Sequence, residues 1–192
     1  AVTGSATDNN HAACRFPTRA HWLYSQTGLG QPSLNCPAYD EWRELVNPEQ
    51  ATLVFASDYL NSPSSMFGHT FLRLDAPGQT EDTRLLAYAI NFAAETNTKN
   101  PFVFAFKGLT GGYPGLFSLM PYYEKVKEYS DMENRDLWEY QLSLTPDEVH
   151  LLISHLWELR SVEFPYYFST RNCSFQLLAL MEVARPGLAM RK

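Results

Sequence analysis

The apolar positions of this chain fall in short blocks that alternate between strand and helix spacing. Thr52–Ser57 (TLVFAS) is β-branched and apolar and predicts a buried strand. In His69–Asp75 (HTFLRLD), Thr70, Leu72 and Leu74 alternate with His69, Phe71 and Arg73. That period of two predicts a second strand, with His69 at its first position. Arg84–Phe92 (RLLAYAINF) predicts a third. A hairpin of these two strands, closed by a loop at Pro77–Thr83, sets the start of one beside the end of the other. It makes His69 and Asn91 cross-strand neighbours. Phe102–Phe106 predicts a further strand. Lys107–Tyr123 is rich in glycine and aromatics and is expected to be irregular. Tyr122–Asp131 predicts a short helix, and Asp136–Ser143 alternates again as a strand.

Helical signals fall at both ends. Residues 1–13 are small and polar and are expected to fray. Thr18–Thr27 and Ala38–Val46 read as short helices, with Asp40 as a cap for the second. Thr145-Pro146-Asp147-Glu148 is a capping box with Pro at the first helical position, so a helix runs from there to about Arg160. Phe175–Val183 has helical spacing with apolar residues most of the way round, which predicts a buried helix. Ser169, Thr170 and Asn172 precede it as N-cap residues. Strands set between helices indicate an α+β fold, an antiparallel sheet with packed helices. With no repeat and no low-complexity linker, the chain reads as one domain over 1–192, a helical cap over 1–48 and a core over 49–192.

Composition narrows the function classes. Hydrophobic residues are 45% and charged residues 19% of the 192 positions, the balance of a globular domain. The net charge of −6 argues against nucleic acid, which needs a basic face. No apolar run approaches ~18 residues, so no segment reads as a membrane span. The three cysteines are an odd number. Cys14 and Cys36 lie in turn-rich, Pro-flanked sequence, and the economical reading pairs them in a disulfide worth ~3 kcal/mol. That pairing implies an oxidising compartment. A zinc site of His11, Cys14, His21 and Cys36, or two free thiols, are the rival readings. The zinc spacing fits no standard pattern, and no metal or cofactor is expected.

Cys173 is then the free thiol, in the first turn of a buried helix. There the unpaired N–H groups and the positive end of the helix dipole favour a thiolate and a developing oxyanion. The competing reading is a small core hydrophobe. A thiol nucleophile needs a base, and the base needs a group to fix its tautomer. Of five histidines, His11 is in the tail and His21 is near the cysteine pair. His150 and His155 lie on the capped helix without sharing a face. His69 alone sits at a strand start behind a Gly-containing turn. Asn91 is the best orienting group, with Tyr88, Asp58 and Ser57 weaker. A structural histidine and a strand-end asparagine is the bland alternative.

Three segments, SPSSMFGHTFLRLD (62–75), GGYPGLFSLMPYYEKVKEYSDMENRDLWEYQLSL (111–144) and YYFSTRNCSFQLLALMEVARP (166–186), resemble the N-terminal periplasmic domain of Lnb-type bacterial lipoprotein N-acyltransferases. The CRFP and NCPAYDEW segments match as well. More remotely, a histidine strand followed by an Asn-Cys helix is similar to the circularly permuted NlpC/P60 group of papain-like folds, in which His precedes Cys. In the lecithin:retinol acyltransferase type of that group the third residue is often a second His, so Asn91 departs from the pattern.

The resemblance implies ping-pong acyl transfer without a cofactor. Cys173 attacks a phospholipid acyl ester, and the thioester passes its acyl group to the N-terminal amine of a lipoprotein, with His69 as base and then acid. It implies a periplasmic, membrane-associated location in a Gram-negative bacterium. The run Phe102–Phe106 with Leu109–Tyr123 is the candidate for contact with the membrane surface, a packed irregular loop being the alternative. Ser65, Tyr88, Tyr113, Phe117 and Tyr167 are the candidate substrate contacts. Family members usually continue into a C-terminal segment, so a membrane-anchoring part is expected beyond this sequence. Two other readings stay open. One is a cysteine peptidase or amidase acting on cell-wall peptides. The other is a non-catalytic lipid-binding domain. The aromatic run Phe164, Tyr166, Tyr167 and Phe168 near Cys173 leans towards lipid, since acyl chains want an apolar lining.

Overall fold

The computed structural model describes residues 9–30, 34–57, 68–96, 98, 100–132 and 134–188. Seven α-helices and six strands are found there. The strands are β1 (Gln50–Ala56), β2 (His69–Asp75), β3 (Tyr88–Ala94), β4 (Tyr113–Pro121), β5 (Leu137–Gln141) and β6 (Phe164–Tyr166). They form one open sheet in the order β5-β1-β2-β3-β4-β6, every pair antiparallel. The fold is α+β.

Both faces of the sheet are covered, which is why β2 has almost no exposed position. Leu72, Leu74, Ile90, Phe92 and Phe117 face α6 (Pro146–Leu159) and α7 (Cys173–Ala184) and build the main core. Val54, Ala56, Phe71, Ala87 and Ala89 face the other way. There α5 (Tyr122–Val126) and the π-helical turn Lys127–Met132 bring Tyr122 and Tyr129 over them. Alternation along β2 thus sends His69, Phe71 and Arg73 to the α5 side and Thr70, Leu72 and Leu74 to the α7 side. Buried Arg73 is matched by Asp75 (2.7 Å) and Glu139, and Glu139 also accepts from the Tyr122 hydroxyl (2.5 Å). Arg135 donates to the Ser57 and Ala56 carbonyls and so fixes the approach of β5 to the end of β1.

The helical cap is α1 (Ala12–Arg15), α2 (Pro17–Thr27) and α3 (Pro37–Val46). Cys14 and Cys36 form the disulfide, with Cα atoms 5.3 Å apart. His11 caps α1 by accepting from the Ala13 N–H (3.2 Å). Asp40 lies inside the first turn of α3, whose N-cap is Cys36. The cap packs on α6 through Tyr39 and Trp42 against Trp157. The capping box of Thr145 and Glu148 starts α6, and Arg185 closes on Glu148, holding its carboxyl down at about 2.

Two expectations from the pattern need correction. Phe102–Phe106 is no strand but part of α4 (Pro101–Thr110). Asn100 caps it, accepting from Phe102 and Val103 N–H, Pro101 takes the first helical position, and Gly111 ends it at φ 77°. Those punctuation residues outweigh the strand-like VFAF run between them. Tyr113–Pro121, expected to be irregular, is the longest strand. Its glycine has a packing purpose: a Cβ on Gly115 would lie 2.5 Å from the Phe92 ring. The short strand β6 and the start of β3 at Tyr88, after a 3-10 turn at Arg84–Leu86, were not in the pattern either.

Candidate active site

Cys173 is the first residue of α7 and is 6% exposed. The helix begins there because Asn172 is extended and its Oδ1 accepts from the Phe175 N–H (3.3 Å). The amide of Asn172 also donates to the Phe168 carbonyl (3.2 Å), which ties the cap to the preceding loop. The backbone N–H of Cys173 donates to the Tyr166 hydroxyl (3.3 Å). One residue on, Ser174 Oγ lies 3.0 Å from Thr70 Oγ1. This pins the start of α7 to the start of β2 and brings His69 to the thiol.

His69 is held on its other side. Its Nε2 lies 2.6 Å from Asn91 Oδ1, and the Asn91 amide donates to Ser118 Oγ (3.4 Å). An amide oxygen only accepts, so Nε2 carries the proton and Nδ1 is left for the thiol. The ring packs against both Phe71 and Tyr129, with centroids 6.1 and 5.9 Å away. Burial pushes the Cys173 thiol up. The hydrogen bond and charge of His69 pull it down, helped by the Thr70 N–H and Ser174, and the pKa settles at about 7. Burial, with the Cys173 charge beside it, raises the Tyr166 phenol and keeps it protonated.

A cavity of about 170 Å³ opens on the His69 and Asn91 side of this cluster, with buried Cys173 behind its walls rather than on them. His69, Asn91, Lys125, Tyr129, Tyr166 and Phe168 are on its walls. A larger groove of about 580 Å³, between the helical cap and α6, is lined by neither His69 nor Cys173. No group of three or more His, Cys, Asp or Glu side chains able to hold a metal occurs among the described residues. Helix α4 borders the site. Phe168 donates its N–H to the Gly108 carbonyl (2.9 Å), and its ring meets Phe104 with centroids 5.1 Å apart. The far side of α4 is open, with Phe102 85% and Phe106 68% exposed beside Leu109.

The Lnb N-terminal periplasmic domain family matches residues 38–192. The chain belongs to this family. No curated protein and no solved structure matches it. As an Lnb-type domain it is a periplasmic domain, consistent with its disulfide. No described helix is long and apolar enough to cross a membrane.

The Lnb domain gathers Cys173, His69 and Asn91 but not the other sequence candidates. Ser65 lies outside the described residues, as does Asp58. Phe117 is a core side chain, packed on Phe92 (4.8 Å) and Phe164. Tyr88 is half-buried against the same core. Tyr113 is buried beneath Lys107, whose Nζ lies 5.5 Å from the ring centroid. Tyr167 covers Gly111 and lies beneath Arg171. None of these four lines the cavity. Sequence reasoning missed Tyr166 as a partner of Cys173 and missed Lys125 altogether. The aromatic run before Cys173 held the signal for Tyr166. Lys125 reaches the site only because α5 folds back over the sheet, which no local pattern reports.

Proposed function

We propose that this domain is a cysteine-dependent acyltransferase that moves a fatty acyl group from a phospholipid to the N-terminal amine of a lipoprotein. The observation that carries the reading is the thiol held at about 7 by a histidine whose second nitrogen is fixed by Asn91. A structural core cysteine, buried in apolar surroundings, has its pKa raised instead.

In the first half-reaction the Cys173 thiolate attacks the ester carbonyl. The carbonyl oxygen takes the negative charge and is met by two donors, the Cys173 N–H and the Tyr166 O–H, as it enters between them. Collapse breaks the ester C–O bond, and protonated His69 gives its proton to the leaving glycerol oxygen. A lysophospholipid departs and the acyl group stays as a thioester. In the second half-reaction a neutral amine attacks the thioester. His69 takes the amine proton, the C–S bond breaks, and the amide leaves while the thiolate returns. The exposed far side of α4, carrying Phe102, Phe106 and Leu109, supports contact with the leaflet that holds both substrates.

One observation favours the wall-peptide hydrolase as a second reading: Lys125 and Glu128 give the cavity a polar wall. A single incubation separates the two. The domain is mixed with phospholipid micelles, a diacylated lipopeptide bearing a free α-amine and a wall tripeptide. Acyl transfer yields lysophospholipid and triacylated lipopeptide in equal amounts. Cleavage of a wall tripeptide, with neither lipid product, overturns the proposal in favour of the hydrolase.

A further inference from the structure

Lys125 has no part in the chemistry above, yet its side chain is only 8% exposed and lines the same cavity as His69. A buried ammonium is unfavourable unless something nearby is negative. Its Nζ lies 2.7 Å from Glu128 Oε2 and 3.4 Å from the Tyr129 hydroxyl. Glu128 is 45% exposed, so water screens that pair. The ammonium itself stays in place, 5.0 Å from the centroid of the Tyr129 ring. The same ring packs on His69 at 5.9 Å. One aromatic side chain therefore fixes a buried cation beside the general base.

We infer that Lys125 binds the phosphate of the acyl donor and thereby selects glycerophospholipids over neutral lipids. A glycerophospholipid carries its phosphodiester within one glycerol unit of the scissile ester. With the ester at Cys173 and His69, the anion falls towards the Lys125 side of the cavity. Glu128 gives up its hydrogen bond to the phosphate oxygens and turns to water. A charge-assisted N–H to O contact forms in its place. The acyl chains lie outside this cavity, which is too small for them. The polar wall is thus the headgroup end of a lipid site. This inference rests on the acyltransferase reading and adds the group that recognises the donor.

The test compares two donors with the same acyl esters, dioleoylphosphatidylethanolamine and dioleoylglycerol, in identical detergent micelles. The readout is the acyl mass gained by the intact protein. The unaltered domain is acylated faster by the phospholipid. In Lys125→Met the ratio of the two rates falls about tenfold or more, and Lys125→Arg restores much of it. An unchanged ratio overturns the Lys125 assignment while leaving the acyltransferase reading intact. If neither lipid ever acylates the unaltered protein, both fall together. A second measurement needs no variant. Glycerol 3-phosphate slows alkylation of Cys173 by iodoacetamide, whereas glycerol and inorganic phosphate at the same concentration do not. Equal protection by inorganic phosphate shows a general anion site and overturns recognition of the donor.

Discussion

His69 Nε2 sits 2.6 Å from Asn91 Oδ1, so the tautomer of the imidazole is set by an amide on the neighbouring strand. The bond follows from register. Leu72 pairs with Ile90 and Arg73 with Ala89, which leaves His69 and Asn91 on one face near the end of the hairpin. Asn91→Ala removes the orienting group but keeps the base. Acylation of Cys173 should slow in that variant by less than in His69→Ala. Loss of the base should cost about 10²–10⁴-fold. Single-turnover acylation rates of the two variants check the order. Equal losses would show that Asn91 does more than orient the ring.

The thiol pKa gives a pH profile with a defined sign. A pKa lowered to about 7 means that the thiolate persists down to neutral pH and is lost as pH falls below it. Alkylation of Cys173 by iodoacetamide should rise through a midpoint near 7. In His69→Ala the lowering partner is gone and the burial remains. The midpoint should then move above the ~8.5 of a free thiol. A profile unmoved by the substitution would separate His69 from the thiol.

Much of this site was legible in the sequence, for physical reasons that differ by element. The period-2 alternation of HTFLRLD put His69 at the head of β2, and Asn172 announced the start of α7. Both are local signals, one of strand pleat and one of an orphan N–H. Helix α4 was misread because VFAF suits a buried strand, while its caps, Asn100-Pro101 and Gly111, lie outside the run. Strand β4 was missed because its glycine and prolines look like turn residues. Their meaning is tertiary: Gly115 makes room for Phe92, and Pro114 faces Pro165 on the short strand β6. Tyr113 and Phe117 are candidate substrate contacts by sequence, but strand alternation turns both inward.

The exposed side of α4 carries a membrane prediction. Phe102 and Phe106 are a turn apart and largely exposed, so replacing both with Ser should change stability by no more than about 0.5 kcal/mol each. Co-flotation with phospholipid vesicles should be lost. Flotation equal to that of the unaltered domain would assign the contact to another surface.

Gly108 tests the seating of α4 against the site. A Cβ there would lie 2.2 Å from a Phe168 ring carbon, so Gly108→Ala has to displace an aromatic wall of the cavity. Overpacking of this kind costs about 1–3 kcal/mol. Thermal or urea melting should show it, against the gain expected for alanine in an unobstructed helix.

Thr145 provides a control remote from the chemistry. Its hydroxyl accepts from the Glu148 N–H (3.3 Å), and Glu148 reaches back to the Thr145 N–H (2.8 Å). Thr145→Ala should lower stability by ~1 kcal/mol in urea denaturation. The pH midpoint of Cys173 alkylation should not move.

An acyl group carried by Cys173 is visible by intact-protein mass spectrometry. The domain is incubated with phospholipid micelles and no amine acceptor, and its mass is read before and after hydroxylamine. The expected result is a gain of one fatty acyl group, removed by hydroxylamine as a thioester is, and absent in Cys173→Ser and His69→Ala. An unchanged mass in a preparation that makes N-acylated lipopeptide, or an adduct that persists in Cys173→Ser, would contradict it.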